Sequence, residues 1–370
     1  MPRKSGRGSA VNWKGKKVFI TGHTGFKGSW LTLWLLQQGV DVFGYSFEPP
    51  SQPYLFDVLQ LQKEMQSQYA DIRNFEELSQ SLQKFQPEFV FHLAAQPLVR
   101  RSYKDPIETY STNVMGTVHL LEAVRQCPSV RVCEVITSDK CYENQERLVG
   151  YKESEPMGGH DPYSSSKACA ELVTSSFRNS FFQNPQGVLL ASARAGNVIG
   201  GGDWAEDRLI PDLVTQFYQG KTVLIRNPKS IRPWQHVLEP VGGYIRLAEA
   251  LYEKGVEFSE AWNFGPQSQD ERPVLELVQM MSKLWKKEQD QSSTEGKAAQ
   301  FEVMKEARGE PHEACYLKLD ITKARERLQW EPRWNLETAL EKTVQWYTAY
   351  YYKTQNLKEL TLSQIREYQN

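Results

Sequence analysis

The glycine-rich stretch ITGHTGFKGSW at residues 20–30 constrains the fold of this chain more than any other feature. Gly22, Gly25 and Gly28 stand three residues apart, after the apolar residues 18–20 and before a run that is typical of a helix. A backbone without side chains can approach an anion closely, and a helix N-terminus offers free N–H groups and positive potential. The spacing G-x-x-G-x-x-G is not the commoner G-x-G-x-x-G fingerprint. By itself, it indicates either an anion-binding turn or a tight strand-to-helix connection.

Strand-like and helix-like stretches alternate over the first half of the chain. Strands separated by helices predict an α/β fold with a doubly wound parallel sheet of the Rossmann type. After about residue 196, Gly, Pro and Trp become frequent, which predicts a smaller mixed lobe laid over the carboxyl edge of the sheet. Buried strands are predicted at residues 17–21, 40–46, 88–95, 131–138 and 187–196. The predicted parts are a disordered arm (1–12), a cofactor domain (13–195, with a returning segment near 235–265), a substrate lobe (196–234 and 266–360), an exposed loop (287–300) and a helical tail from residue 336.

Charge and composition exclude several classes of protein. Lys and Arg number 44 against 45 for Asp and Glu, so the net charge is −1 and no basic surface for nucleic acid is indicated. No apolar run approaches about 18 residues, which argues against a membrane span. The start MPRKSGRGSA is not followed by the apolar core of a signal peptide. The five cysteines lack metal-site spacing and are odd in number, so we expect a cytoplasmic protein without a bound metal.

The surroundings of the glycine turn indicate which anion it would hold. A turn after the first strand of such a pattern favours a dinucleotide over a plain connection. An acid usually ends the second strand and holds the adenosine ribose, but here Glu48 lies slightly beyond that strand. No basic residue lies between Lys27 and Lys63 to meet a 2′-phosphate, so NAD is favoured over NADP. Asp71, before Ile72 at the end of the third strand, could meet the adenine edge or cap the next helix.

Tyr163 and Lys167 are four residues apart and share one face of a helix predicted at 161–182. A tyrosine with its ordinary pKa of about 10 is a poor base, but a nearby ammonium and a positive nicotinamide ring would lower that pKa. Ser138 ends the preceding strand and can hydrogen-bond the same substrate hydroxyl. A Tyr-x-x-x-Lys pattern alone usually marks two surface residues. Combined in this chain order with the glycine turn and Ser138, it predicts hydride abstraction from a carbinol carbon.

These motifs resemble those of the extended short-chain dehydrogenase/reductase family over nearly the whole chain after Trp13. TGHTGFKG, FHLAAQ and YSSSK are similar to its cofactor and catalytic motifs, and Asn113 matches an asparagine that braces the active-site helix. The resemblance implies NAD as cofactor. It assigns NAD binding to Gly22, Thr24, Gly25, Phe26, Gly28, Asp71, Ile72, Ala94, Ala95, Gln96, Tyr163 and Lys167.

Within the family, ITSDKCY resembles the nucleotide-sugar 4,6-dehydratases. The triplet reads Thr-Asp-Glu in the dTDP-glucose enzymes and Ser138-Asp139-Lys140 here. That departure, with RAGNVIGGGDW, RNPKSIRPWQHV and HEACYLKLD, resembles the CDP-glucose branch. The implied reaction converts CDP-glucose to CDP-4-keto-6-deoxyglucose and water, a step towards deoxysugars such as those of lipopolysaccharide O-antigens. Tyr163 would take the 4-OH proton, Asp139 would act as the acid at O6 and Lys140 as the base at C5.

Other residues carry weaker indications. Without its surrounding motifs, the pair Asp139-Lys140 would be an exposed turn. Trp204 and Trp234 could stack on a ring or pack in the core, and Arg308 is offset by one from an arginine of the dTDP relatives. The resemblance implies a substrate diphosphate site at Arg194, Asn197, Arg232 and His312, although each could be an ordinary surface charge.

Two further functions remain open at this point. A nucleotide-sugar 4-epimerase or decarboxylase, or a dTDP-glucose 4,6-dehydratase, would share Tyr163 and Lys167. A protein that senses the cofactor without catalysis would use the same fold, but the intact Ser138, Tyr163 and Lys167 argue against it. The predicted helices around residues 108–127 and 161–182 carry more apolar surface than one sheet face needs. In the family such helices pair across a two-fold axis, so we expect a homodimer or an assembly of dimers.

Overall fold

The buried apolar strands that the sequence predicts lie side by side in one sheet. The computed structural model describes residues 11–49, 52–184, 186–225, 227–291, 299–303 and 316–370. Seven strands form this central sheet, and each neighbouring pair in it runs parallel. The strands are β1 (Lys17–Thr21), β2 (Asp41–Ser46), β3 (Gln66–Tyr69), β4 (Phe89–His92), β5 (Val132–Ile136), β6 (Leu189–Ala195), β7 (Val198–Ile199), β8 (Thr222–Ile225), β9 (Ile231–Pro233), β10 (Gln235–His236), β11 (Ala261–Phe264), β12 (Glu271–Pro273) and β13 (Gln300–Val303).

The strand order places a ligand-binding crevice at β1. The order is β11-β6-β5-β4-β1-β2-β3, so β1 lies between β2 and β4. Ile20 in β1 pairs with Gly44 of β2 on one side and with Phe91 of β4 on the other. The direction of winding reverses at this point, and ligands of open parallel sheets bind outside the carboxyl ends of the strands there. The doubly wound α/β prediction is confirmed, and the five predicted strands correspond to β1, β2, β4, β5 and β6.

Helices cover both faces of the sheet, and local sequence signals set their ends. The first helix buries Trp30 and Leu31, and Gly39 follows its end with φ +77°, a conformation that glycine adopts without strain. The longest helix has Pro162 in its first turn, after Asp161, whose side chain accepts a hydrogen bond from the Ser164 N–H. The helices are α1 (Phe26–Gln37), α2 (Leu55–Val58), α3 (Phe75–Phe85), α4 (Val99–Lys104), α5 (Pro106–Tyr110), α6 (Gly116–Arg125), α7 (Pro162–Phe181), α8 (Leu209–Gln219), α9 (Leu238–Lys254), α10 (Val274–Gln291), α11 (Leu336–Tyr352) and α12 (Leu357–Gln369).

The described chain after β6 contributes one strand to the central sheet and places six other strands outside it. β11 returns to the central sheet and pairs with β6, while β7, β8, β9, β10, β12 and β13 form three two-stranded sheets outside it. The predicted helical tail is confirmed by α11 and α12. The loop predicted at 287–300 is wrong at both ends, because α10 continues to Gln291 and β13 begins at Gln300. The Gln289 side chain donates a hydrogen bond to the Tyr352 hydroxyl at 2.8 Å, and residues 292–298 lie outside the described residues. In the described part of the chain, no helix is both long and apolar enough to cross a membrane.

Candidate active site

A cleft of about 1860 Å³ opens at the carboxyl ends of the sheet strands. Its walls come from the glycine turn, the chain after β2, β4 and β5, the first turns of α7, and second-lobe residues around α8 and β9. Residues far apart in sequence meet here because the carboxyl ends of parallel strands lie at one edge. The volume is large enough for two nucleotide-sized molecules, since typical ligand sites measure about 300–1,000 Å³.

The glycine turn is too tight for side chains at two of its positions. A Cβ atom on Gly28 would lie 2.1 Å from the Gly22 carbonyl oxygen. A Cβ atom on Gly22, where φ is +75°, would lie 2.6 Å from the Ala94 nitrogen. Gly25 is the N-cap of α1 and offers no side chain to cap the first turn. The first turn of α1 therefore lacks a side-chain cap, and an N-terminus of this kind fits the diphosphate of a dinucleotide.

The rim beside β2 holds hydroxyl groups and no acid at the end of the strand. The Thr24 hydroxyl lies 2.9 Å from the Ser46 hydroxyl and donates to the Phe47 carbonyl at 3.1 Å. Phe26, Ser46, Phe47 and Glu48 line the cleft. At this rim, hydroxyl groups stand where a strand-end carboxylate would usually bind the adenosine ribose.

Asp71 is bound to a neighbouring arginine and does not line the cleft, whereas Ile72 does. The Asp71 carboxylate accepts hydrogen bonds from the Arg73 backbone N–H at 2.8 Å and from its Nε at 2.9 and 3.0 Å. Burial would raise the pKa of this carboxyl, but the bonds from Arg73 hold it below its usual value. Asn74, not Asp71, caps α3. Arg73 also lies 5.7 Å from the Phe47 ring and so brings a cation near the rim. This arginine was overlooked in the preference for NAD, because that preference rested only on the residues between Lys27 and Lys63.

The loop after β4 is shaped by an asparagine, as the resemblance implies. Asn113 lies in a wide helical turn between α5 and α6 (Ser111–Met115). Its Oδ1 accepts from the Gln96 N–H at 2.8 Å, and its Nδ2 donates to the Gln96 carbonyl and to the Ser166 hydroxyl on α7. Ala94, Ala95 and Gln96 line the cleft. Asn113 thus ties the cofactor side of the cleft to the helix that carries Tyr163.

Tyr163 and Lys167 face the cleft from the first turns of α7, and both are buried. The Lys167 ammonium donates to the Ile136 carbonyl at 3.2 Å. Burial lowers the pKa of Lys167 to about 8, although the negative charge of Glu171 acts in the opposite direction and raises it. Burial raises the pKa of the Tyr163 phenol to about 12, although its hydrogen bond with Ser138 lowers it. The expected lowering of this pKa is therefore wrong for the chain alone, because loss of solvent outweighs that hydrogen bond.

Ser138, Asp139 and Lys140 form a tight turn directly after β5. The Ser138 hydroxyl accepts from the Lys140 N–H at 3.3 Å and donates to the Asp139 carboxylate at 2.9 Å. The Lys140 ammonium lies 3.4 Å from the same carboxylate oxygen. The Asp139 side chain is only 2% exposed, against 31% for Lys140. Asp139 is thus buried in the wall of the cleft, and the alternative of an exposed turn pair does not describe it.

The four residues that the resemblance assigns to the substrate diphosphate have different positions. Asn197 and Arg232 line the cleft. Arg194 does not line it: its guanidinium is buried and pairs with the Glu171 carboxylate at 2.8 Å. The arginine side chain points into the protein because the buried Glu171 carboxylate pairs with it there. His312, like Arg308, lies outside the described residues.

Trp204 and Trp234 both line the cleft and also pack against the core. The Trp204 ring lies 5.0 Å from the Tyr350 ring and 5.7 Å from the Trp346 ring, between centroids. The two alternatives for these residues, ring stacking and core packing, are therefore compatible, because each tryptophan has one side on the cleft.

Two cations in the cleft were missed by reasoning from the sequence. Lys27, in the first turn of α1, lines the cleft, and burial together with nearby Arg208 lowers its pKa to about 7. Arg208, directly before α8, pairs with Asp203 at 2.7 Å, and this carboxylate raises the pKa of the guanidinium. Lys27 stands inside the glycine motif, but nothing in the sequence shows which way its side chain extends.

Comparisons with known proteins agree with this architecture. A family model described as GDP-mannose 4,6 dehydratase matches residues 19–343. A CDP-glucose 4,6-dehydratase of Salmonella typhimurium is 56% identical over 343 residues, which are 91% of this chain and 92% of that protein. The structure of a dTDP-glucose 4,6-dehydratase from Bacillus anthracis in complex with NAD has a TM-score of 0.72 at 22% identity and covers 94% of this chain and 100% of its own. A UDP-glucuronic acid 4-epimerase from Bacillus cereus, in complex with UDP-glucuronic acid and NAD, has a TM-score of 0.73 at 25% identity, with 90% and 99% covered.

Proposed function

Since this chain belongs to the GDP-mannose 4,6 dehydratase family, we propose that it converts CDP-glucose to CDP-4-keto-6-deoxyglucose and water with NAD as its cofactor. The observation that carries the proposal is the meeting of Ser138, Asp139 and Lys140 with Tyr163 and Lys167 in one cleft beside the glycine turn. An oxidation needs only the tyrosine, the lysine and the serine. An elimination also requires a general acid and a general base, for which the buried Asp139 and the neighbouring Lys140 are suited.

Oxidation at C4 of the hexose begins the reaction. When bound, oxidised NAD accepts the hydride from C4 and later returns it to C6. Tyr163 takes the 4-OH proton, and Ser138 holds the same hydroxyl in line with the phenol. The high pKa of the isolated phenol keeps Tyr163 protonated in the chain alone. Its proton must therefore leave to solvent, favoured by the positive charge that bound oxidised NAD would supply, before the phenolate can take the 4-OH proton. Lys167, buried one turn further along α7, supplies the positive charge that stabilises the phenolate during the step.

Elimination of water from C5 and C6 is assigned to Asp139 and Lys140. Their contact at 3.4 Å lets one proton pass from the ammonium to the carboxylate without changing the total charge. The resulting neutral amine takes the C5 proton, which the 4-ketone has acidified. The resulting carboxylic acid gives its proton to the leaving 6-OH. This elimination removes one proton from C5 and hydroxide from C6, which together make one water. When the hydride returns to C6, the Lys140 ammonium would give one proton to C5, and the amine would then take a proton from solvent.

The nucleotide end of the substrate is assigned to the second lobe. Arg232 on β9 and Asn197 before β7 line the cleft on that side, where a cation and an amide suit a diphosphate. We add Arg208 to this group because it lines the cleft and is close enough to interact electrostatically with Tyr163. His312 keeps its proposed role from the resemblance alone.

A label-transfer experiment tests the function. The purified protein is incubated with CDP-glucose, and the 4-keto product is followed by its absorbance in alkali. With C4-deuterated substrate the label should appear at C6 of the same molecule, and reaction in heavy water should place one deuterium at C5. A 4-epimerase would leave the 6-OH in place, and a protein that only senses NAD would make no product. Tyr163→Phe should form neither product nor enzyme-bound NADH.

Homodimer formation through α5, α6 and α7 is also proposed. These helices and the turn between them expose a patch that includes Ile107, Met115, Leu172 and Phe181, and Ile107 is 81% exposed. A shallow apolar groove lies within the same patch. An exposed apolar patch of this kind marks an interaction surface, and pairing with a second copy follows the family resemblance. We also propose a cytoplasmic location, which is consistent with four unpaired cysteines among the described residues.

A further inference from the structure

A buried ion pair stands behind the catalytic turn. Glu171 lies on α7 eight residues after Tyr163 and four after Lys167, so the three side chains share one face of the helix. The Glu171 carboxylate accepts hydrogen bonds from the Thr137 hydroxyl at 2.5 Å, the Ser192 hydroxyl at 2.7 Å and the Arg194 guanidinium at 2.8 Å. Burial would raise the pKa of this carboxyl, but Arg194 and the hydroxyl donors hold it below its usual value. Glu171 is therefore a buried, ionised group that accepts hydrogen bonds from three side chains.

The guanidinium of Arg194 continues this network to the other end of the catalytic turn. Its second nitrogen donates to the Tyr142 hydroxyl at 2.7 Å and to the Glu153 carbonyl at 3.1 Å. The Tyr142 hydroxyl in turn donates to Asn263 Oδ1 at 2.7 Å. Asn263 lies on β11 and donates to the Tyr151 carbonyl at 2.8 Å. Hydrogen bonds thus run without interruption from α7 through β6 to β11.

The two ends of this network bracket the acid–base groups. Thr137 directly precedes Ser138, and Tyr142 comes two residues after Lys140. Within the turn, the backbone bonds are long, at 3.3 and 3.4 Å, so the turn itself is weakly held. Backbone bonds anchor the ends of the segment 137–142, from the Thr137 N–H to the Ala193 carbonyl and from the Gly158 N–H to the Cys141 carbonyl, each at 2.9 Å. The Thr137 and Tyr142 hydroxyls, which the ion pair holds, are the side-chain anchors at the same two ends. A misplacement of about 1 Å can reduce the rate of a chemical step about 100-fold.

We propose that the Glu171–Arg194 ion pair is a positioning device that holds residues 137–142 so that Asp139 and Lys140 face the C5–C6 bond. The proposal rests on the proposed dehydratase function. It assigns Arg194 a role through Tyr142 instead of a contact with the substrate diphosphate. Tyr163 and Lys167 are held by α7 itself, and Ser138, which the oxidation also uses, lies beside the Thr137 end of the segment. Loosening the Tyr142 end, beside Asp139 and Lys140, should therefore impair elimination more than oxidation.

Tyr142→Phe is the most conservative test, because it removes one hydroxyl that joins Arg194 to Asn263. Tyr368→Phe is a matched control, since its buried hydroxyl also donates at 2.7 Å, to Glu239, remote from the catalytic turn. Single-turnover absorbance separates NADH formation, which reports oxidation, from 4-keto-6-deoxy product, which reports elimination. In Tyr142→Phe, NADH should form at close to the wild-type rate while elimination slows by about 10- to 100-fold. Tyr368→Phe should change neither step.

Arg194→Lys provides a second variant that keeps a positive charge beside Glu171 but loses the planar fork that reaches Tyr142. It should show the same selective loss of elimination, with NADH accumulating on the enzyme. If either variant lost oxidation and elimination equally, or behaved as Tyr368→Phe does, the positioning role would be overturned.

Hydrogen–deuterium exchange tests the same proposal without any substrate. The amides of residues 138–142 should exchange about 10-fold faster in Tyr142→Phe than in the wild type or in Tyr368→Phe. Unchanged exchange in this segment would refute the positioning role. A wild-type protein that makes no product from CDP-glucose would instead refute the proposed function, and the exchange comparison would still decide the role of the ion pair.

Discussion

Replacing Gly28 with alanine should weaken NAD binding by about 10- to 100-fold, because it moves the first turn of α1 away from its position. The new Cβ would lie 2.1 Å from the Gly22 carbonyl oxygen and 2.9 Å from the Cα of His23. Both contacts are backbone atoms that no rotamer change can clear. The turn and the helix must separate by about 1 Å or more to restore ordinary contact distances.

The size of the effect follows from that displacement. A shift of this size breaks or bends at least one N–H hydrogen bond from the first turn of α1 to the diphosphate. A hydrogen bond to a charged group contributes about 1.5–3 kcal/mol, which corresponds to the 10- to 100-fold loss of affinity. The same overpacking should lower the unfolding free energy by about 1–3 kcal/mol.

Calorimetric titration of protein stripped of cofactor measures the affinity, and urea unfolding measures the stability. Gly255→Ala is the control, because Gly255 has φ +84° at the end of α9 and its Cβ would meet nothing within 4 Å. This control should lose about 1–2 kcal/mol of stability through backbone strain and keep its NAD affinity. If Gly28→Ala bound NAD as tightly as the control does, the close approach of turn and helix would not be what makes the site.

Four further outcomes are expected. Stripped protein should prefer NAD over NADP by at least about tenfold, or about 1.4 kcal/mol, and equal affinities in the same titration would contradict the reasoning from missing charge. Ile107→Glu should shift sedimentation of the protein from dimer towards monomer, and a wild type that is monomeric at micromolar concentration would exclude the proposed interface. Lys140→Met should stall with NADH bound and lose about 100- to 10,000-fold in turnover, whereas normal turnover with normal C5 labelling would remove Lys140 as the base. Burial lowers the pKa of His23, His92 and His236 to about 3, so the unfolded chain binds more protons below about pH 6.5. The unfolding free energy in urea should therefore fall as the pH decreases from about 6.5 towards 3, and a flat profile there would show that these side chains are already solvated.

Most of the sheet could be predicted because its central strands are buried on both faces, unlike the polar edge strand β3. Buried strands are mainly apolar, as in residues 18–20 and 132–136, where Glu134 is the exception, and they stand out from the amphipathic helices between them. The end of α10 could not be placed as well. Its polar residues suggested a loop, but Gln289 is buried and bonded to Tyr352, a residue 63 positions further along the chain. Local composition cannot register a partner at that distance.

The grouping of Ser138, Tyr163 and Lys167 was also accessible from the sequence. Ser138 follows β5, and the other two begin the next helix, so the carboxyl edge of a parallel sheet brings them together whatever the details of packing. The direction of the Arg194 side chain could not be predicted from the sequence. A cation near a strand end could face the diphosphate or the interior, and only the presence of Glu171 beneath β6 selects the interior.

The sequence by itself determined the doubly wound fold, the glycine turn and the chemical types gathered at the sheet edge, because periodicity and spacing are local properties. Tertiary structure alone decided the electrostatics of the cleft. The high pKa of Tyr163 and the low pKa of Lys27 arise from loss of solvent and from charges on other elements. The place of Arg73 beside Phe47 depends on two neighbouring strands. Burial and through-space charge depend on the complete arrangement of helices around the sheet, and no stretch of sequence contains that arrangement.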